Sequence, residues 1–79
     1  MEKNEILMRV KNVVSNVLKI EPSEITDDAN FVFDLGADSL QSIELIAGFE
    51  EEFDIEMDQD KALEVQNIDD AVNFISEYL

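Results

Sequence analysis

The 79-residue chain has no cysteine, no histidine and no tryptophan, one proline, two glycines and only five basic side chains. Each scarcity excludes something. Without cysteine there is no disulfide framework and no thiolate zinc site. Without histidine as well, neither a Ser-His-Asp nor a Cys-His arrangement can be built. No catalytic residues are expected, because no base, nucleophile pair or metal cluster stands behind an enzyme. Twenty acidic residues leave a formal net charge of −15, which repels phosphate backbones and argues against nucleic-acid binding. Long apolar runs are missing too, so membrane insertion is not expected. The opening MEKNEILMRV has neither a signal peptide's apolar stretch nor a transit peptide's basic bias, which predicts a cytoplasmic protein.

What is present points to a folded domain. Apolar residues make up 46% of the chain, too many for a disordered acidic tail. The length allows one domain, residues 1–79, near the size where a core is marginal. Charge is unevenly spread. Residues 1–19 hold Lys3, Arg9, Lys11 and Lys19 against Glu2 and Glu5, a balance of +2, while residues 20–79 set Lys61 against eighteen acids, a balance of −17. Such a surface predicts a monomer with basic partners.

Periodicity predicts an all-α four-helix bundle of three principal helices and one short one, with a long loop between the first two. Over residues 5–19 the apolar stripe is Ile6, Leu7, Val10, Val13, Val14, Val17 and Leu18, and Pro22 is expected to close it. From Glu21 to Ala37 the pattern breaks, and Ile25, Phe31, Phe33 and Leu35 are expected to pack this loop onto the core. A second helix from Ser39 to Phe53 buries Leu45, Ile46, Phe49 and Phe53 beside Ser42. Its opposite stripe is Gln41, Glu44, Gly48 and Glu51, bordered by Leu40, Ile43 and Ala47. Gly48 costs about 1 kcal/mol against alanine in a helix interior, so a tight approach is one reason for it. Residues 57–66 suggest a short helix held by Met57, Ala62, Leu63 and Val65. The last helix follows the N-cap Asn67 and carries the stripe Ile68, Ala71, Val72, Ile75, Tyr78 and Leu79.

One spot stands out chemically, the entry to the second helix. Gly36 permits a sharp turn, Asp38 is a strong N-cap, and Gln41 three positions on nearly matches a reciprocal capping box. Ser39 then occupies the first helical position, its hydroxyl beside unpaired backbone N–H groups that favour negative charge. Serine at a helix start is also common for its own sake. Spacing leaves both uses open.

The string Asp34-Leu35-Gly36-Ala37-Asp38-Ser39-Leu40 resembles the phosphopantetheine attachment motif of acyl carrier proteins, in which Asp-Ser-Leu opens the second of four helices. Ala29-Asn30-Phe31-Val32, Ile43-Glu44-Leu45 and Glu50-Glu51-Glu52-Phe53-Asp54 are similar to the discrete carriers of type II fatty acid synthesis, and the likeness covers essentially all 79 residues. Gly36-Ala37-Asp38-Ser39 is closer to that type than to peptidyl carriers.

The resemblance implies that Ser39, with Asp38 beside it, receives 4′-phosphopantetheine from coenzyme A through a carrier-protein synthase, a phosphopantetheinyl transferase that uses a divalent metal. The protein would catalyse nothing. It would hold acyl chains as thioesters on the arm's thiol and present them to acyltransferase, ketosynthase, reductase and dehydratase enzymes. Leu40, Gln41, Ile43, Glu44, Ala47, Glu50, Glu51 and Met57 would meet basic patches on those partners, with Asp58, Gln59 and Asp60 flanking them. Charge complementarity of this kind chiefly raises association rate. An acyl cavity would be lined by Leu45, Ile46, Phe49, Met57, Ala62, Leu63, Ile68 and Ile75.

Some positions depart from the family pattern. Phe33 stands where relatives carry a charged residue, and is open to docking on a partner or covering the loop. Gln41 is neutral where many are acidic, Met57 replaces a frequent isoleucine and Asp58 a frequent proline. These changes leave room for a specialised carrier in a polyketide, lipid A, lipoic acid or lipopeptide pathway. From another class, an acidic adaptor or weak divalent-cation binder without a prosthetic group is the rival, with acids such as Glu44/Glu51 or Asp27/Asp28. A true EF-hand beginning at Asp58 is excluded, since its sixth position would be Leu63 and its twelfth Asp69; no specific metal site is expected.

If self-repulsion of the −15 charge limits stability, the melting temperature climbs with millimolar Mg²⁺. An unchanged melting temperature would show that the acids are already compensated within the fold.

Overall fold

In the computed structural model, which describes residues 1–79, the apolar spacing of the N-terminal segment closes into α1 (Lys3–Leu18). Ile6, Val10, Val13 and Val14 are buried on one face, as a 3.6-residue period requires. The helix starts three residues earlier than its apolar stripe, because the Glu2 carbonyl accepts from the Glu5 and Ile6 amides. It ends before proline acts. Lys19 adopts a left-handed conformation (φ 60°) and its N–H donates to the Ser15 carbonyl, a C-cap geometry that needs no proline. Pro22 instead opens a 3-10 turn, Pro22–Glu24.

Three further helices follow: α2 (Ser39–Phe53), α3 (Gln59–Leu63) and α4 (Ile68–Ser76). The fold is all-helical. α2 buries the expected stripe of Leu45, Ile46, Phe49 and Phe53, and α4 buries Ile68, Ala71, Val72 and Ile75. Tyr78 and Leu79 lie past the end of α4 and are exposed, so the helix is shorter than its stripe suggests. Tyr78 instead packs edge-on against Phe74 at 5.3 Å, and its hydroxyl oxygen accepts from the Asp58 amide at 3.2 Å. α3 is only five residues long. Asp58 caps it, accepting from the Lys61 amide at 3.1 Å, while Met57 and Ala62 fasten it to the core.

The long loop is tied down by backbone. Phe31 N–H donates to the Gln66 carbonyl at 2.9 Å and Ile68 N–H to the Ala29 carbonyl at 3.0 Å, an antiparallel bridge centred on Asn30 and Asn67. Ile25 and Phe31 are buried and Leu35 is half-buried, as expected, and Ala29 and Ala37 join them. Phe33 is a correction: it is 88% exposed. The turn after Asn30 leaves it at the surface instead of among the buried residues.

Gly48 also needs correcting. It does not belong to an open acidic stripe but to the contact between α1 and α2. A Cβ placed there would stand 2.8 Å from Val13 Cγ1 and 3.8 Å from Val17 Cγ2. One turn away, Arg9 clasps the end of α2, its Nε donating to Glu52 Oε2 at 2.7 Å and its Nη2 to the Glu52 carbonyl at 2.6 Å. Its guanidinium lies 4.9 Å from the Phe53 ring centroid, a cation–π distance.

Gly48→Ala gains about 1 kcal/mol of helix propensity but overpacks against a stiff β-branched neighbour, a cost of about 1–3 kcal/mol. Net destabilisation is expected in denaturant melts. Val13→Ala in the same chain should relieve the clash, giving favourable coupling in a double-mutant cycle. A more stable Gly48→Ala would show instead that α1 can retreat.

Candidate functional site

The entry to α2 is built from the loop upward. Asn30 Oδ1 accepts from the amides of Val32 and Phe33, both at 2.9 Å, and Asp34 Oδ2 accepts from the Asn30 amide at 2.7 Å. This knits residues 30–35 into consecutive turns. Gly36 then takes φ 75° with nothing within 4 Å of a would-be Cβ; its left-handed backbone, not space, favours glycine. Ala37 N–H donates to the Phe31 carbonyl at 2.8 Å, delivering the chain to Asp38.

Asp38 and Gln41 form a complete capping box. Asp38 Oδ1 accepts from the Gln41 amide at 2.8 Å, and Gln41 Oε1 accepts from the Asp38 amide at 3.1 Å. The Ser42 hydroxyl donates to the Asp38 carbonyl at 3.0 Å. Those bonds leave the exposed Ser39 hydroxyl, and the Ser39 and Leu40 amides, without an internal partner. Free amides at the positive end of a 15-residue helix suit an anionic ester on that oxygen. The Asp38 carboxylate opposes it, but one of its oxygens is engaged by the Gln41 amide.

An apolar cavity of about 280 Å³ opens among the loop, α2, α3 and α4, and its rim reaches Ser42, one turn beyond Ser39. Leu45, Ile46, Phe49, Met57, Ala62, Leu63 and Ile75 all line it. Ile68 does not. At 0% exposure it belongs to the closed core, because it directly follows the bridge that pins the start of α4. Phe31, Val32, Phe33 and Phe74 line the cavity as well. Three of these sit in the irregular loop, where no periodicity signals a face. Phe74 carried a signal: it lies three residues after Ala71 on α4, at helical spacing.

The outward face of α2 differs from the expected stripes. Leu40, Glu44, Ala47 and Glu51 are exposed, flanked by exposed Ile43, so the apolar residues stand on the open face and are no mere border. Gln41 and Glu50 are half-buried. Gln41 is occupied by the capping box, and Glu50 Oε2 accepts from the Met57 amide at 2.8 Å, which withdraws Glu50 from the free acidic surface. Met57 is buried, a wall of the cavity and not a surface contact. Asp27 pairs with Lys11 Nζ at 2.5 Å, and Asp28 accepts from the Thr26 hydroxyl at 3.0 Å. No group of three or more carboxylates gathers where it could hold a metal ion. No helix is long and apolar enough to cross a membrane.

Comparison with known proteins converges on this geometry. A family profile described as "Phosphopantetheine attachment site" matches residues 9–75, a span that contains the whole of α2. The chain is 49% identical over 74 residues to an acyl carrier protein of Caulobacter vibrioides, covering 94% of this chain and 95% of that one. It is 47% identical over 76 residues to an acyl carrier protein of Phenylobacterium zucineum, covering 96% of each. An acyl carrier protein of Guillardia theta is 44% identical over 77 residues, covering 98% of this chain and 95% of that one. The prosthetic group of this family is phosphopantetheine, which displaces the reading of an acidic adaptor without one. With most of its length matched by the profile and nearly all of it by these relatives, the chain belongs to the phosphopantetheine-bearing acyl carrier family.

Proposed function

We propose that Ser39 is the attachment point of 4′-phosphopantetheine and that residues 1–79 act as one carrier domain, a cytoplasmic monomer that serves fatty acid biosynthesis and catalyses nothing itself. The observation that carries this reading is the Ser39 hydroxyl, exposed at the first position of α2 and without an internal hydrogen bond. The residues around it fit the group: the free amides of Ser39 and Leu40 suit its phosphodiester, and exposed Leu40 offers apolar contact beside it. When bound, the group supplies a thiol on a flexible arm, on which acyl chains are carried as thioesters. Asp38, Glu44 and Glu51, with Leu40, Ile43 and Ala47, form the surface for basic patches on the synthase and on the acyltransferase, ketosynthase, reductase and dehydratase. Long-range charge attraction raises encounter rates there without demanding long-lived complexes.

Incubation with coenzyme A, Mg²⁺ and a phosphopantetheinyl transferase should add one phosphopantetheine by intact mass, mapped by peptide sequencing to Ser39 and absent from Ser39→Ala. Loading on another hydroxyl overturns the assignment. Fatty acid synthesis is tested by supplying the loaded protein to a reconstituted type II elongation system, where failure to yield acyl product sinks the pathway.

Asp38→Asn keeps a good N-cap but removes a charge. It should melt within about 1 kcal/mol of the parent, yet load with a lower kcat/KM and a weaker salt dependence. Equal loss of stability and loading would assign Asp38 to capping alone.

A further inference from the structure

We propose that Val32 and Phe33 form an apolar lip that extends the cavity, so that an unsubstituted acyl chain too long for the closed part stays covered. This rests on the reading of Ser39 as the loading site. Both residues line the cavity, yet Val32 is 54% and Phe33 88% exposed. Their exposure is built, not frayed. The Asn30 side chain holds both amides, and the Gly36 amide donates to the Val32 carbonyl at 3.1 Å. Two adjacent large apolar side chains held in water gain from any hydrocarbon laid against them. Leu63, 47% exposed, adds to the same lining from α3.

The chemistry of the lining selects the occupant. Of its 16 residues 13 are hydrophobic, and the remaining three are Asn30, Ser42 and Gln66. Asn30 Oδ1 is committed to the Val32 and Phe33 amides and the Ser42 hydroxyl to the Asp38 carbonyl. Gln66 keeps a free side-chain amide and Asn30 a free Nδ2, so only two of the sixteen lining residues offer a free donor to a hydroxylated or charged chain, and a buried polar group without partners is penalised. The lip is also continuous with the cavity wall, whose rim at Ser42 lies one helical turn from Ser39. Val32 and Phe33 form the exposed side of this lining, against which a hydrocarbon that outgrows the buried residues lies.

The test loads the full chain, and its Phe33→Ser and Phe33→Leu variants, with saturated acyl-phosphopantetheines of increasing length from the corresponding acyl-coenzyme A compounds. Intact mass verifies each product before melting. With short chains the three proteins should gain the same thermal stability over their unloaded forms. With long chains the parent and Phe33→Leu should go on gaining, while Phe33→Ser levels off and falls behind by on the order of 5 °C. Identical gains at every length overturn the lip. So does a Phe33→Ser variant with unchanged gains but weakened capture by a partner enzyme, which assigns Phe33 to a protein surface. If Ser39 fails to load, the carrier reading falls first and the lip with it, an outcome visible by mass before any melt.

Discussion

Two backbone hydrogen bonds between residues 29–31 and 66–68 organise this molecule more than any side chain. A long connection in a small domain is entropically free to wander. The bridge takes that freedom away at the point where it matters. It lashes the end of the loop to the approach of α4, so Phe31 is buried on one side while Ala37 bonds back to it on the other. The start of α2 is thereby placed, and with it the hydroxyl of Ser39. The same bridge positions Ile68 in the closed core, so one pairing serves both the site and the packing.

Much of this was legible from residue order. Three apolar stripes fell where the helices are, and the spacing of Asp38 and Gln41 foretold a capping box that is fully formed. Seven of the eight residues that the family resemblance assigns to an acyl cavity line an apolar cavity here. The illegible parts share a physical cause. Lys19 and Asp54 end their helices in left-handed backbone, a conformation more usual for glycine or asparagine, so composition could not announce those stops. Phe33 appeared to be core on hydrophobicity, but a side-chain bond from Asn30 decides its direction. Glu50 reads as free surface from spacing, and it is spent on the Met57 backbone amide.

Charge is arranged with the same economy. The few cations are concentrated in α1, where Arg9 and Lys11 reach across to Glu52 and Asp27. These pairs are partly exposed and individually weak, but they spend positive charge on joining α1 to α2 and to the loop. Nothing comparable neutralises Glu44 and Glu51, which leaves the outer face of α2 acidic and open. The free hydroxyl and this unneutralised face both belong to α2.

The two sides of the bundle differ in mechanical character. Where α1 meets α2, a missing β-carbon, a close-packed valine and a guanidinium clasp hold the two long helices together. Opposite it, α3 is a single turn and a half, too short to be stable by itself and fastened by two buried side chains and a cap. Any swelling of the cavity is therefore cheapest on the α3 side, where the long rod of α2 can remain a fixed spine while its small neighbour yields.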